Sequence, residues 1–140
     1  MVLVRDYMRK DISTIDIESS AFEASKMMSN DKVCYIIVLD KNQPVGIVTM
    51  NDLVLKIMAK DKDPKTVRVS DCMSSPLITI DPDRSVEEAV ELMKKHGFKR
   101  LPIVKNNTIY GIFCVKDLIE HYDEFERRLV TDIIRVIRVQ

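Results

Sequence analysis

The chain repeats itself. Displaced by 65 residues, Val4–Val54 lies over Val69–Ile119 without a gap. Identical pairs run the length of this alignment, among them Val4/Val69, Asp6/Asp71, Met8/Met73, Thr14/Thr79, Ser20/Ser85, Glu23/Glu88, Met28/Met93, Gly46/Gly111, Asp52/Asp117 and Leu53/Leu118. A fixed period of this kind makes each copy one supersecondary unit that cannot bury its own apolar face. About 50 residues hold too little interior to stand alone. Two copies are therefore expected to pack face to face about a pseudo-twofold axis, their sheets meeting in a cleft.

Both copies have one reading. A V-x-D-x-M opener (VRDYM, VSDCM) leads to an extended piece, ISTIDI or LITIDP. Ser20-x-x-Glu23 and Ser85-x-x-Glu88 then have the spacing of a capping box, in which side chains satisfy orphan N–H groups at a helix start. Apolar residues follow at helical spacing, at Ala21, Ala24, Met27 and Met28 and at Val86, Ala89, Val90, Leu92 and Met93. His96-Gly97 reads as a left-handed stop. Two strands joined by a polar hairpin turn come next, VCYIIVL with VGIVT and RLPIV with YGIFCV. A closing helix, MNDLVLKIMAK or VKDLIEHYDEF, makes the unit βαββα. Beyond the second copy the stripe Leu118, Tyr122, Phe125, Leu129, Ile133 and Val136 continues a helix, although IIRVIRVQ is β-branched enough for a strand. The reading places a first motif with its connector at 1–64, a second at 65–125 and a tail at 126–140.

Charge excludes one broad class. Twenty-two basic residues balance twenty-two acidic ones, at a pI near 6.7, without the basic excess of a general polyanion binder. No apolar run reaches the ~18 residues a membrane span needs, and MVLVRDYMRKD does not read as a signal peptide. Cys34, Cys72 and Cys114 are odd in number and far apart, and only His96 and His121 could join them, so neither a disulfide framework nor a metal site is expected. The expectation is a reduced cytoplasm.

The openers, the run His96–Val104 (HGFKRLPIV) and the pair GIVTMND (46–52) and GIFCVKD (111–117) resemble a CBS-domain pair. The resemblance covers 4–119, twice in register. It implies an α/β (α+β) fold of tandem βαββα motifs, here with a C-terminal helical extension, and association as disc-shaped dimers. The implied function is binding adenosine-containing ligands (AMP, ADP, ATP or S-adenosylmethionine) in clefts between the motifs, with no further cofactor, as a regulatory module for another protein. No attached enzyme or channel domain is expected in this chain.

The family's ribose-and-phosphate signature, G-h-h-[ST]-x-x-[DN], is complete at Gly46–Asp52. Thr49 would offer a hydroxyl and Asp52 would accept both ribose hydroxyls. The same two residues read equally as a helix N-cap, with Asp52 favourable at the positive end of the dipole. In the second copy Asp117 is in place, but Cys114 stands where Ser or Thr is expected, and a thiol is a weak donor. Lys99 and Arg100 could supply phosphate contacts there instead; otherwise they are a solvated basic pair. Cys34 and Tyr35 are their uncharged equivalents, and Pro102 is matched by Ile37, so the two sites should differ. For an adenine slot the resemblance nominates Ile12, Ser13, Leu77 and Ile78, with Tyr35 a possible stacking ring or a half-buried strand residue. The methionines read as core, Cys34 and Cys72 as buried hydrophobes, and both histidines as surface residues. Leu53, Ile57, Met58, Leu118 and Tyr122 are the expected dimer contacts.

No nucleophile–base pair or metal cluster is visible, so catalysis is not expected. The leading reading is a ligand-binding sensor forming a homodimer and acting on an unidentified protein, away from membranes and nucleic acid. The alternative is a protein-interaction or DNA-associated regulator with vestigial clefts, acting through the arginines of its tail.

Overall fold

The computed structural model describes residues 2–120 and 127–138. They form two compact units, Ile12–Leu77 (the first unit) and Met1–Asp11 with Ile78–Gln140 (the second).

In the first unit β1 (Thr14–Asp16) lies parallel to β2 (Tyr35–Asp40), which runs antiparallel to β3 (Gln43–Thr49). Helix α1 (Ala21–Asp31) makes the crossover a parallel pair requires. It starts where the Ser20 hydroxyl accepts from the Glu23 N–H (3.0 Å) and stops at Lys32, in the left-handed region at φ 55°. The β2–β3 hairpin turns on Lys41 and Asn42, at φ 51° and 65°, the positive pair that a two-residue type I′ turn requires. Four consecutive β2 residues, Tyr35–Val38, are buried, so this strand is covered on both faces. After β3 comes α2 (Met50–Leu53), which widens to a π turn over Val54–Met58, where the Ala59 N–H reaches back five residues to the Val54 carbonyl (2.8 Å). Short α3 (Val69–Cys72) closes the unit. The core is Ile15, Ala24, Met28, Ile36, Val38, Val48, Ile57, Val69 and Cys72 with their neighbours.

The second unit repeats the plan with two departures. Helix α4 (Val86–His96) is capped by Ser85 and ends at Gly97, φ 71°. The hairpin of β4 (Arg100–Lys105) and β5 (Thr108–Cys114) turns on Asn106 and Asn107. The extended piece before α4 makes only a single parallel bridge, Ile80 to Ile103, and no strand. Its ladder is shorter because Pro82 stands where Ile17 stands in the first copy. The Ile17 N–H donates to Leu39 (2.8 Å), and proline has no such donor. The second departure follows α5 (Val115–Glu120): the tail forms a helix, α6 (Arg127–Arg138), not a strand. Leu129, Ile133 and Val136 bury into the core of Val4, Val86, Met93, Leu101, Ile103, Phe113 and Leu118. Packing of this stripe overrides the weak helix propensity of its β-branched residues. Tyr122 and Phe125, expected on the same stripe, lie outside the described residues.

Set beside the linear repeats, the openers have changed places. Val4 is buried in the second unit, where the Val4 N–H donates to Arg84 (3.0 Å) and the Val86 N–H to Val2 (2.9 Å). Val69 and Cys72 are buried in the first, where the Val69 N–H donates to Ser19 (2.8 Å) and the Ala21 N–H to Val67 (2.7 Å). Each opener then bridges the last strand of its host, Arg9 to Ile112 and Ser74 to Ile47. That close approach explains both strand glycines. A Cβ on Gly46 would fall 2.8 Å from the Ser74 carbonyl oxygen, and one on Gly111 would fall 2.5 Å from that of Arg9.

Candidate functional site

In the first unit the nominated residues gather at one end of the sheet, where β1 and β2 begin and β3 ends. Tyr35 pairs with Thr49, the Ile37 N–H donates to the Ser13 carbonyl (3.1 Å), and the Met50 N–H donates to that of Cys34 (2.9 Å). Ile12 and Ser13 are half-buried just before β1, and the Ser13 hydroxyl donates to Asp31 (2.6 Å). Tyr35 is buried, at 6% exposure, deeper than a half-buried strand tyrosine. Leu77, half-buried, is the last residue of this unit.

Each oxygen of the Asp52 carboxylate has a local partner. Its Oδ2 accepts from the Thr49 N–H (2.9 Å) and hydroxyl (3.1 Å), while the Asp52 N–H donates to Thr49 Oγ1 (3.2 Å). This is the reciprocal box that Thr49-x-x-Asp52 also permits, and the structure forms it. Oδ1 lies 3.0 Å from Lys56 Nζ, one turn on, and that ammonium also donates to the Cys72 carbonyl of the opener (2.9 Å). Burial, with the Asp52 charge adding to it, raises the Cys72 thiol pKa above its ordinary 9.0, so it stays neutral and unreactive.

The second unit holds its own set. Arg100 pairs with Cys114 across the hairpin, and the Lys99 carbonyl accepts from the Val115 N–H (3.1 Å), as Cys34 does in the other copy. Lys99, Arg100 and Cys114 are half-buried. Pro102 is buried and its carbonyl accepts from the Ile80 N–H (3.0 Å), while Ile78 is half-buried against the core. Asp117 is 6% exposed, and both its oxygens are taken by one guanidinium. Arg9 Nε donates to Oδ2 (2.7 Å) and Arg9 Nη2 to Oδ1 (2.6 Å). An open groove of about 730 Å³ lies elsewhere on this unit, between Thr79–Asp81 and the Glu87–Glu91–Lys95 face of α4, and none of the nominated residues lines it.

Among the described residues no group of His, Cys, Asp and Glu could hold a metal ion, and no helix is long and apolar enough to cross a membrane. A family model for the CBS domain matches twice, over residues 4–59 and 69–124.

The chain belongs to the CBS-domain family.

It is 34% identical over 118 residues to a CBS domain-containing protein of Bacillus subtilis, covering 84% of each chain. It is 39% identical over 121 residues to a protein of Methanopyrus kandleri, covering 85% of this chain but only 62% of that one, so it spans less than two thirds of that relative. Among solved structures it resembles a hexameric CBS-CP12 protein from bloom-forming cyanobacteria, with 31% identity and a TM-score of 0.80 over 89% of this chain and 70% of the other. CBS pairs are generally regulatory modules.

Two residues that decide the geometry of these CBS motifs escape a reading of the sequence. Lys56 had a signal, since an acid four residues before a lysine on a helix is a favourable pair. Arg9 had none, because it reaches Asp117 across 108 positions and its repeat equivalent is Ser74. Three expectations are corrected. Met50 and Met58 are 53% and 76% exposed, not core. Ile57 and Leu118, expected at a dimer contact, are buried at 4% and 6% in their own units. Cys34 is half-buried, and only Cys72 is the buried hydrophobe. His96 is exposed, and His121 lies outside the described residues.

Proposed function

We propose that this CBS pair is a regulatory, non-catalytic module that binds an adenosine-containing ligand, with Thr49 and Asp52 at the more accessible site. The observation that carries the reading is the half-buried Asp52, oriented by the Thr49 N–H and hydroxyl inside a complete G-h-h-T-x-x-D motif. A carboxylate fixed in this way accepts two vicinal hydroxyls without first losing side-chain freedom. Ile12 and Ser13 start β1 at the same end of the sheet, in position to border a base. In the second copy Lys99 and Arg100 would favour a phosphorylated ligand over a bare nucleoside. Calorimetric titration of the nucleotide-stripped protein with adenosine, AMP, ATP and S-adenosylmethionine tests this. Saturable binding of one of them supports the reading, and heats of dilution alone for all four refute it.

The same proposal includes self-association as a homodimer. Met50, Val54, Leu55 and Met58 form an exposed apolar stripe on α2 and its π turn, at 53%, 47%, 63% and 76% exposure. In the second unit the counterparts of Met50 and Val54, which are Val115 and Ile119 on α5, pack against a core that α6 completes. A bare stripe where the sister copy is covered suits a protein partner, and a hexameric relative supports assembly of such modules. A reducing, cytoplasmic setting belongs to the same reading, supported by three cysteines among which no disulfide forms.

A further inference from the structure

Asp117 is a buried carboxylate whose two oxygens are both gripped by a side chain from the opposite end of the chain. We propose that Arg9 is a built-in occupant of this carboxylate, a latch that fastens the N-terminal segment to the second unit and that a ligand taking Asp117 must open. The inference rests on the reading of Asp117 as a ligand-binding carboxylate and adds what regulates that site.

The geometry is a two-pronged guanidinium–carboxylate pair at 2.6 and 2.7 Å, the strongest and most directional form of such a contact. Arg9 stays half-exposed, at 47% for its side chain, whereas that of Asp117 is 9% exposed, so the guanidinium is the lid and the carboxylate the floor. The same residue holds the segment by its backbone. Its N–H donates to the Ile112 carbonyl, and its carbonyl accepts from the Ile112 N–H, both at 2.9 Å. Gly111 admits this approach, since any Cβ there would collide with the Arg9 carbonyl oxygen. A vicinal diol that takes both oxygens of Asp117 competes for the positions the fork occupies. When the fork lets go, Val4 stays buried in the core and Arg5 stays paired with Asp83, so the part released is the stretch around Arg9, which keeps its backbone pair with Ile112.

The first copy has a weaker coupling, since Lys56 reaches the opener only at the Cys72 carbonyl (2.9 Å). Its cation, Lys56, sits on the same helix as Asp52, not on the opener, and touches one oxygen only. Displacing Lys56 would leave α3 anchored by Val69 and Cys72 in the core. Occupancy of the two copies therefore has different mechanical consequences, because only in the second does the opener's own side chain hold the carboxylate.

The test is amide hydrogen exchange at Arg9 and Ile112, combined with adenosine and AMP titrations, on wild type, Arg9→Gln and the conservative Arg9→Lys. We expect exchange at both amides to quicken about tenfold or more in Arg9→Gln. Arg9→Lys should fall between, because an ammonium cannot fork. Adenosine should quicken the same amides in wild type, and Arg9→Gln should bind it more tightly at the second site. Unchanged exchange in a folded Arg9→Gln protein overturns the latch. Wild-type binding that leaves these amides untouched, with no gain of affinity in Arg9→Gln, overturns its opening by ligand while the ligand reading stands. Quickened exchange in Arg9→Gln with no binding of either probe to any variant overturns the ligand reading and leaves the fastening intact.

Discussion

Asp52 and Asp117 hold one place in two copies of one motif, each three residues past the end of its last strand. Their surroundings have diverged. Asp52 belongs to a local box with Thr49 and leans on a lysine one turn along its own helix. Asp117 has a cysteine in place of the capping threonine, and its charge is met by an arginine imported from the other copy's opener. Duplication preserved the carboxylate and the glycine that lets an opener approach, but not the source of the positive charge. The opener's place matters more than its sequence position, because its cation reaches one copy and not the other.

The largest expected effect breaks that comparison at the cations. Arg9→Gln leaves a buried carboxylate without its guanidinium and should cost about 2–3 kcal/mol in urea unfolding, discounted from a fully buried pair because Arg9 is half-exposed. Lys56→Gln should cost about 0.5–1 kcal/mol, since the Thr49 box still satisfies Asp52. Equal losses would make the two copies equivalent after all. The glycines come next. Gly46→Ala and Gly111→Ala each push a methyl into an opener's backbone and should cost about 1–3 kcal/mol, with proteolysis quickening in residues 67–74 for the first and 2–11 for the second.

A third change sharpens the contrast between a bare helix and a covered one. Leu55→Glu with Met58→Glu should reduce the particle to a monomer in light scattering while shifting unfolding by less than about 0.5 kcal/mol, because both side chains are already exposed. A wild-type particle of ~16 kDa across micromolar concentrations would show that the stripe has no second copy to cover it. The smallest effect is alkaline. The folded state holds the Cys72 proton more tightly than the unfolded chain, whose thiol titrates near 9.0. Stability should thus be intact below pH 9 and fall above it, by on the order of 1 kcal/mol or less. In Cys72→Ala that slope should disappear, and an unchanged slope would assign the effect to another group.

Much of the fold was legible because it depends on local chemistry that the repeat states twice. Ser20 and Ser85 start helices, Gly97 ends one, and the Lys41-Asn42 and Asn106-Asn107 turns close hairpins, each through contacts within a few residues. The helix of the tail was half legible: its stripe was visible, but only burial of Leu129, Ile133 and Val136 decides against a strand. The exchange of openers was hidden, since Val4 and Val69 are equivalent in sequence and nothing local says which sheet each will cover. The site follows the same division. The Thr49–Asp52 box and the lysine at i+4 are written in the spacing, whereas the Arg9 fork exists only once the chain has closed on itself.

The measurement closest to the central claim is a two-site calorimetric titration with AMP on wild type, Asp52→Ala and Asp117→Ala. Asp52→Ala should abolish or weaken the tighter event by roughly 1.5–3 kcal/mol, the worth of hydrogen bonds to a charged acceptor. Asp117→Ala should leave that event intact and alter only the weaker one. If both variants bind AMP with wild-type affinity and stoichiometry, the two carboxylates are helix caps and latches alone, and the account of the site is wrong.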